Sequence, residues 1–140
     1  MSAASSPKSE NPSRDRLRLT GRVLVVDDNQ VNLLVMRGLL AAYGLEVIES
    51  GSGEEALHLL FDEDFDLVVL DCHMPDRDGF SVAKAYRMTK SSGIPIIAHS
   101  ADWSELNQRL CQESGMNAFL PKPCTRPRLE EMLCRYMRTA

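Results

Sequence analysis

The 140-residue chain has no apolar run long enough to cross a bilayer, and no basic-then-apolar leader of the secretory kind. It also lacks excess positive charge. Sixteen basic residues face twenty acidic ones, a net −4, which excludes the basic footprint of a nucleic-acid binder. Cysteine is sparse: Cys72, Cys111, Cys124 and Cys134 include no pair at the C-x-x-C spacing of a zinc site. Free thiols in a reducing, cytoplasmic setting are expected. There is no cluster of histidine and cysteine, so any metal site must be built from oxygen ligands. The charge is unevenly spread. Residues 1–20 hold four basic and two acidic side chains, +2, which leaves −6 for the remainder. A folded part so acidic is expected to tolerate or want cations.

What is present is an alternation. Residues 1–20, "MSAASSPKSENPSRDRLRLT", are rich in Ser, Pro and charge and show no apolar period; they read as a disordered tail or linker. Residues 21–140 read as one domain, and 44% apolar residues suffice for a single core. "RVLVV" is a strand buried on both faces. "NQVNLLVMRGLLAAYG" is a helix stopped by Gly44. Strands follow at "LEVIES", "DLVVLD", "IPIIAHS" and "NAFLP". Helices separate and follow them at "GSGEEALHLLFDED", "GFSVAKAYRMTK", "DWSELNQRLCQESG" and "RPRLEEMLCRYMR", with Asp102 and Gly115 capping the fourth and Pro127 in the first turn of the last. Five strands alternating with five helices predict an α/β fold: a parallel sheet with helices on both faces. In such sheets the site lies beyond the carboxyl ends of the strands.

Those ends hold a consistent set. The first strand ends in Asp27 and Asp28, the third in Asp71, the fourth in Ser100 and the fifth in Lys122 followed by Pro123. Alone, the Asp pair could be solvated strand-end charge or a helix cap. Together, three carboxylates repel and need a cation, and an all-oxygen donor set favours Mg²⁺ or Mn²⁺. A metal, an ammonium and a hydroxyl around one carboxylate form a receptacle for a phosphoryl group, with Asp71 as nucleophile.

The motifs "VLVVDDNQVN", "DLVVLDCHMPDRDGF", "IPIIAHSA" and "AFLPKP", in this order, resemble the receiver domain of two-component response regulators, over about residues 22–138. "DDNQVN" and "DCHMPDRDGF" are most similar to receivers of hybrid sensor histidine kinases. The resemblance implies a flavodoxin-like sheet of order 2-1-3-4-5. It implies that Asp71 is the phosphoacceptor, that Asp28 and Asp71 ligate the metal, that Asp27 acts through a metal-bound water, and that the backbone carbonyl of His73 completes the shell. It makes Ser100 the switch hydroxyl, Lys122 the ammonium, Phe119 the aromatic switch and Lys122–Pro123 a cis bond. Three positions depart from the commoner pattern: Ser at 100 for Thr, Phe at 119 for Tyr, and His99 where an apolar residue is usual.

The function implied is phosphoryl acceptance from a histidine kinase or a histidine phosphotransfer protein, followed by switched protein contacts or onward relay. Such a domain catalyses only its own phosphorylation and dephosphorylation. The chain is expected to be the receiver module of a hybrid kinase; the alternatives are a standalone regulator or a pseudo-receiver that only binds a partner. No nucleic-acid or membrane contact is expected of this segment. A haloacid-dehalogenase-type phosphatase also uses an aspartyl nucleophile, but needs a second Asp two residues on, where His73 stands. Finally, the first helix carries two apolar stripes. Val31, Leu34, Val35 and Leu39 are expected to face the core. Leu33, Met36 and Leu40, with Tyr43, are expected to form an exposed docking stripe for a phosphotransfer helix.

Overall fold

The computed structural model describes residues 17–90 and 93–139, so the expected tail, apart from its last four residues, lies outside the described residues. Strands are β1 Leu19–Thr20, β2 Arg22–Val26, β3 Glu46–Ser50, β4 Leu67–Asp71, β5 Ile96–Ser100, β6 Ala118–Pro121 and β7 Arg138–Thr139. Helices are α1 Gln30–Ala41, α2 Gly53–Asp62, α3 Gly79–Thr89, α4 Glu105–Glu113 and α5 Arg126–Tyr136. The main sheet is parallel, in the order β3-β2-β4-β5-β6, which is the expected 2-1-3-4-5 order once its five strands are counted alone. The central strand β4 is buried at all five residues, as its unbroken apolar run requires.

Side chains alternate across the sheet, so each strand feeds two cores. Leu24, Val68, Ile96 and Ala98 pack with Ala56 and Leu60 of α2, Val82, Ala83 and Tyr86 of α3, and Cys111 of α4. Val23, Val25, Val69 and Ile97 pack on the other face with Leu33, Met36 and Leu40 of α1 and Leu129 and Leu133 of α5. Four helix starts are capped by a side chain that accepts a backbone N–H: Asn29 from Asn32, Ser52 from Glu55, Asp78 from Ser81 and Ser104 from Asn107. The cap of α4 is therefore Ser104 and not Asp102, whose carboxylate instead accepts from the Ser104 N–H at 2.9 Å. Gly44 and Gly115, just beyond α1 and α4, have φ of +91° and +94°, the left-handed conformation expected of glycines that end helices.

The faces of α1 are the reverse of the sequence expectation except at Leu39, which is partly buried against the α1–α5 core as expected. Leu33, Met36 and Leu40 are buried, as is Tyr43 just beyond the helix; Val31, Leu34 and Val35 are 66%, 69% and 52% exposed. Leu33, Met36 and Leu40 therefore form no docking stripe. The inward set has the larger side chains, and Tyr43 is locked by its carbonyl, which accepts the Leu19 N–H at 2.8 Å. Burying those four side chains contributes roughly 2 kcal/mol each, and the set of Leu, Met, Leu and Tyr offers more apolar area than the Val, Leu, Val and Leu of the alternative. A further element was not expected. β1 and β7 form a separate antiparallel pair, Leu19 opposite Thr139 and Thr20 opposite Arg138, and Leu19 is buried in the α1–α5 core.

Candidate functional site

β2, β4, β5 and β6 all end at one edge of the sheet. Asp27 follows β2, Asp71 and Ser100 are the last residues of β4 and β5, and Lys122 follows β6. Asp27 and Asp71 are buried and Asp28 is exposed. Oxygens of these three carboxylates lie within 4.8 Å of one another. The Lys122 ammonium reaches across the strand ends to Asp27 Oδ2 at 3.0 Å and Asp71 Oδ2 at 3.3 Å. The other oxygens of the two buried carboxylates are held by backbone: Asp27 Oδ1 accepts from Asn29 N–H at 2.9 Å, and Asp71 Oδ1 from His73 N–H at 3.1 Å.

The electrostatics follow from burial. Desolvation raises the Asp71 carboxyl above its ordinary range, and the Asp27 charge adds to that, while the His73 N–H and Lys122 act against it. Burial alone would depress the Lys122 ammonium. Its close contact with Asp27 and the charges of Asp71 and Asp27 outweigh that and hold it above the usual lysine value. Asp27 Oδ2 is enclosed and makes no aligned hydrogen bond; its contact with Lys122 is an ion pair. An enclosed carboxylate oxygen with a free lone pair, beside two more carboxylates, fits a hard divalent cation.

The sequence-expected residues come together with differences of detail. The Ser100 hydroxyl accepts the Asp102 N–H at 3.0 Å and so retains its own proton to donate; its carbonyl accepts the Lys122 N–H at 2.9 Å. The Lys122–Pro123 peptide is cis. The His73 ring is exposed and sits edge-on to Phe80 at 5.9 Å. Phe119 is half-buried under Trp103, edge-on at 5.8 Å, and the Arg128 guanidinium lies over the other ring at 5.0 Å from the Trp103 centroid. Trp103 covers Phe119, and no apolar periodicity in the sequence signals this, because a loop residue packs on a strand residue. Gly79 backs directly onto the Asp71 carbonyl, where a Cβ would collide with backbone. The Asp76 carboxylate accepts from Gly53 and Glu54 N–H at 3.2 and 3.1 Å, so the loop after β4 is tied to the start of α2. Cys72 and Cys111 are buried with their sulfurs 3.8 Å apart, and burial pushes the Cys72 thiol up, away from reactivity.

Comparison with known proteins places the whole fold in a family. The family described as the response regulator receiver domain matches residues 23–134. The hybrid signal transduction histidine kinase L of Dictyostelium discoideum is 35% identical over 134 residues, covering 91% of this chain and 8% of that protein. The chain thus spans a small part of such relatives. The polar-differentiation response regulator DivK of Brucella ovis is 32% identical over 120 residues, covering 85% of this chain and 98% of DivK. Among solved structures, the receiver domain of sensor histidine kinase PA1611 from Pseudomonas aeruginosa, with magnesium coordinated in its active-site cleft, aligns at a TM-score of 0.77 and 29% identity over 84% of this chain and 97% of that one. With the profile matching 112 consecutive residues from β2 into α5, the chain belongs to the response regulator receiver domain family.

Proposed function

We propose that the chain accepts a phosphoryl group from a phosphohistidine onto Asp71. A carboxylate oxygen of Asp71 bonds to phosphorus, the phosphorus–nitrogen bond to the donor imidazole breaks, and that imidazole keeps the electron pair and takes up a proton. The observation that carries this reading is the Lys122 ammonium, 3.3 Å from Asp71 Oδ2, among carboxylates brought in by separate strand ends. A magnesium ion, held by Asp28 and Asp71, by Asp27 through water and by the His73 carbonyl, would supply neutralising charge for the phosphoryl oxygens. Lys122 supplies the protein's own positive charge to the same oxygens, and Ser100 donates its hydroxyl proton to one of them. Asp27 keeps Lys122 over the site before the phosphoryl group arrives. Movement of Ser100 toward the phosphoryl group shifts the β5–α4 loop, and Phe119 under Trp103 feels that shift.

The donor docks on the exposed face of α1. Val31, Leu34 and Val35 form an apolar stripe that starts three residues after Asp28. Gly38 continues the same face at helical spacing, and a Cβ there would meet nothing within 4 Å. Glycine inside a helix costs about 1 kcal/mol relative to Ala. Nothing among the described residues requires it at 38, whereas close approach of a partner's backbone would. The occupant is a helix of a histidine phosphotransfer protein or of a kinase dimerisation domain, bearing the phosphohistidine. The likeness to hybrid kinases supports a place as the receiver module of such a kinase. The near full-length match to DivK supports the alternative, a standalone regulator.

The test is phosphorylation by acetyl phosphate with Mg²⁺, read by intact mass. Wild type should gain one phosphoryl group and Asp71→Asn none. Unmodified wild type in the presence of the metal would sink the reading.

A further inference from the structure

A chain of hydrogen bonds runs from Ser100 into α4. The Asp102 N–H donates to the Ser100 hydroxyl at 3.0 Å, and the Asp102 carboxylate accepts the Ser104 N–H at 2.9 Å. The Asp102 carbonyl accepts from the buried Asn107 amide at 3.0 Å, and the Trp103 carbonyl from the Gln108 amide at 2.9 Å. Trp103 is thus tied to Ser100 on one side and to α4 on the other. A shift of the Ser100 hydroxyl carries the Trp103 ring with it.

That ring is also held from outside the loop. It is half-exposed, yet it meets two other elements. Phe119 of β6 lies edge-on at 5.8 Å, and the Arg128 guanidinium of α5 lies 5.0 Å from the ring centroid. Arg128 is the third residue of α5, in the first turn, where the helix dipole disfavours a cation. It is exposed and makes no ion pair or hydrogen bond among the described residues. Its recorded partner is the Trp103 ring, and an arginine over an indole is an attractive contact.

We propose that Trp103 and Arg128 form a latch on the site: α5 holds the β5–α4 loop, and Ser100 with it, where they now stand. The ring must leave Arg128 when Ser100 closes on a phosphoryl group. The latch therefore opposes phosphorylation of Asp71. By linkage, phosphorylation frees the Trp103 ring and the Arg128 guanidinium together. The effect on phosphorylation rests on the phosphoacceptor reading above; the hold of Arg128 on the ring does not.

The experiment uses the full chain and compares wild type, Arg128→Gln, Trp103→Ala and the double variant. Trp103 is the only tryptophan, so acrylamide quenching of its fluorescence reports on the ring without any phosphorylation. Quenching should rise in Arg128→Gln. Initial labelling by acetyl phosphate with Mg²⁺, read by mass, should be about three-fold faster in Arg128→Gln and at least as fast in Trp103→Ala, because the rate follows the population of the released loop. Adding Arg128→Gln to Trp103→Ala should change nothing further, since the guanidinium then has no ring to hold. Unchanged quenching in Arg128→Gln overturns the latch, as does labelling no faster than wild type. An Arg128→Gln effect of equal size with and without Trp103 also overturns it, and assigns the effect to charge alone. Wild type that stays unlabelled overturns the phosphoacceptor reading itself, a result that no failure of the latch would produce.

Discussion

A single buried imidazole sets part of the acid stability. Burial holds His99 at a pKa of about 4 against an ordinary 6.5, with the Lys122 charge adding to the depression and Asp27 opposing it. The sign follows from proton counting. Between pH 6.5 and 4 the unfolded chain binds a proton at this residue and the folded chain does not, so stability falls as pH falls through that window. The full loss below pH 4 is about 3 kcal/mol. Carboxylates contribute their own acid loss, so the wild-type curve alone does not isolate the histidine. The difference between wild type and His99→Leu does. In urea melts without divalent metal, that difference should be flat above pH 6.5 and shift in favour of the leucine variant toward pH 4. Parallel curves over that range would show that the imidazole is free to protonate in the folded chain.

For whole elements, α1 shows where periodicity stops deciding. Residues 31, 34, 35 and 39 and residues 33, 36, 40 and 43 are both apolar at helical spacing, so spacing alone permits either phase. The phase is fixed by contacts outside the helix: the Asn29 cap at one end, and at the other Tyr43, whose carbonyl holds β1. Side-chain volume was the available sequence signal, since the set with Leu, Met, Leu and Tyr is the larger. The strand-end residues were legible for the opposite reason. Asp27, Asp71 and Lys122 each follow a wholly apolar run, and Ser100 follows one broken only by His99, so the end of each strand is marked whichever face its side chains take, and a parallel sheet brings such ends together whatever the helices do. The prediction at this scale uses the corrected face. Leu34→Glu with Val35→Glu places two charges on exposed positions and should leave melting within about 1 kcal/mol of wild type. It should abolish phosphoryl transfer from a phosphohistidine protein donor and spare labelling by acetyl phosphate. Transfer from the protein donor at the wild-type rate would remove α1 as the docking face.

In the molecule as a whole, the site and the fold share their stability, because the carboxylates that converge on one point are brought there by separate strands. The short β1–β7 pair closes the chain near its ends, and two residues are too few to show a period, so neither strand was legible in the sequence. The sheet edge is the more consequential junction. Asp27 and Asp71 are buried together with one ammonium between them, and Asp28 adds a third carboxylate from the exposed side. That arrangement leaves uncompensated negative charge in the folded state which the unfolded chain disperses. A divalent cation that binds the folded site should therefore stabilise the whole domain by mass action, about 1.4 kcal/mol at ten times its dissociation constant. For a domain of this size that corresponds to a rise in melting temperature of about 5 °C. Asp28 makes no ion pair with Lys122, so Asp28→Asn removes one carboxylate and leaves the lysine bridge in place. The expected result is a melting temperature that climbs with Mg²⁺ in wild type and climbs much less in Asp28→Asn, both measured against sodium chloride at matched ionic strength. A wild-type melting temperature equal in Mg²⁺ and in matched sodium chloride would mean that Lys122 alone balances the carboxylates and that the edge holds no divalent ion.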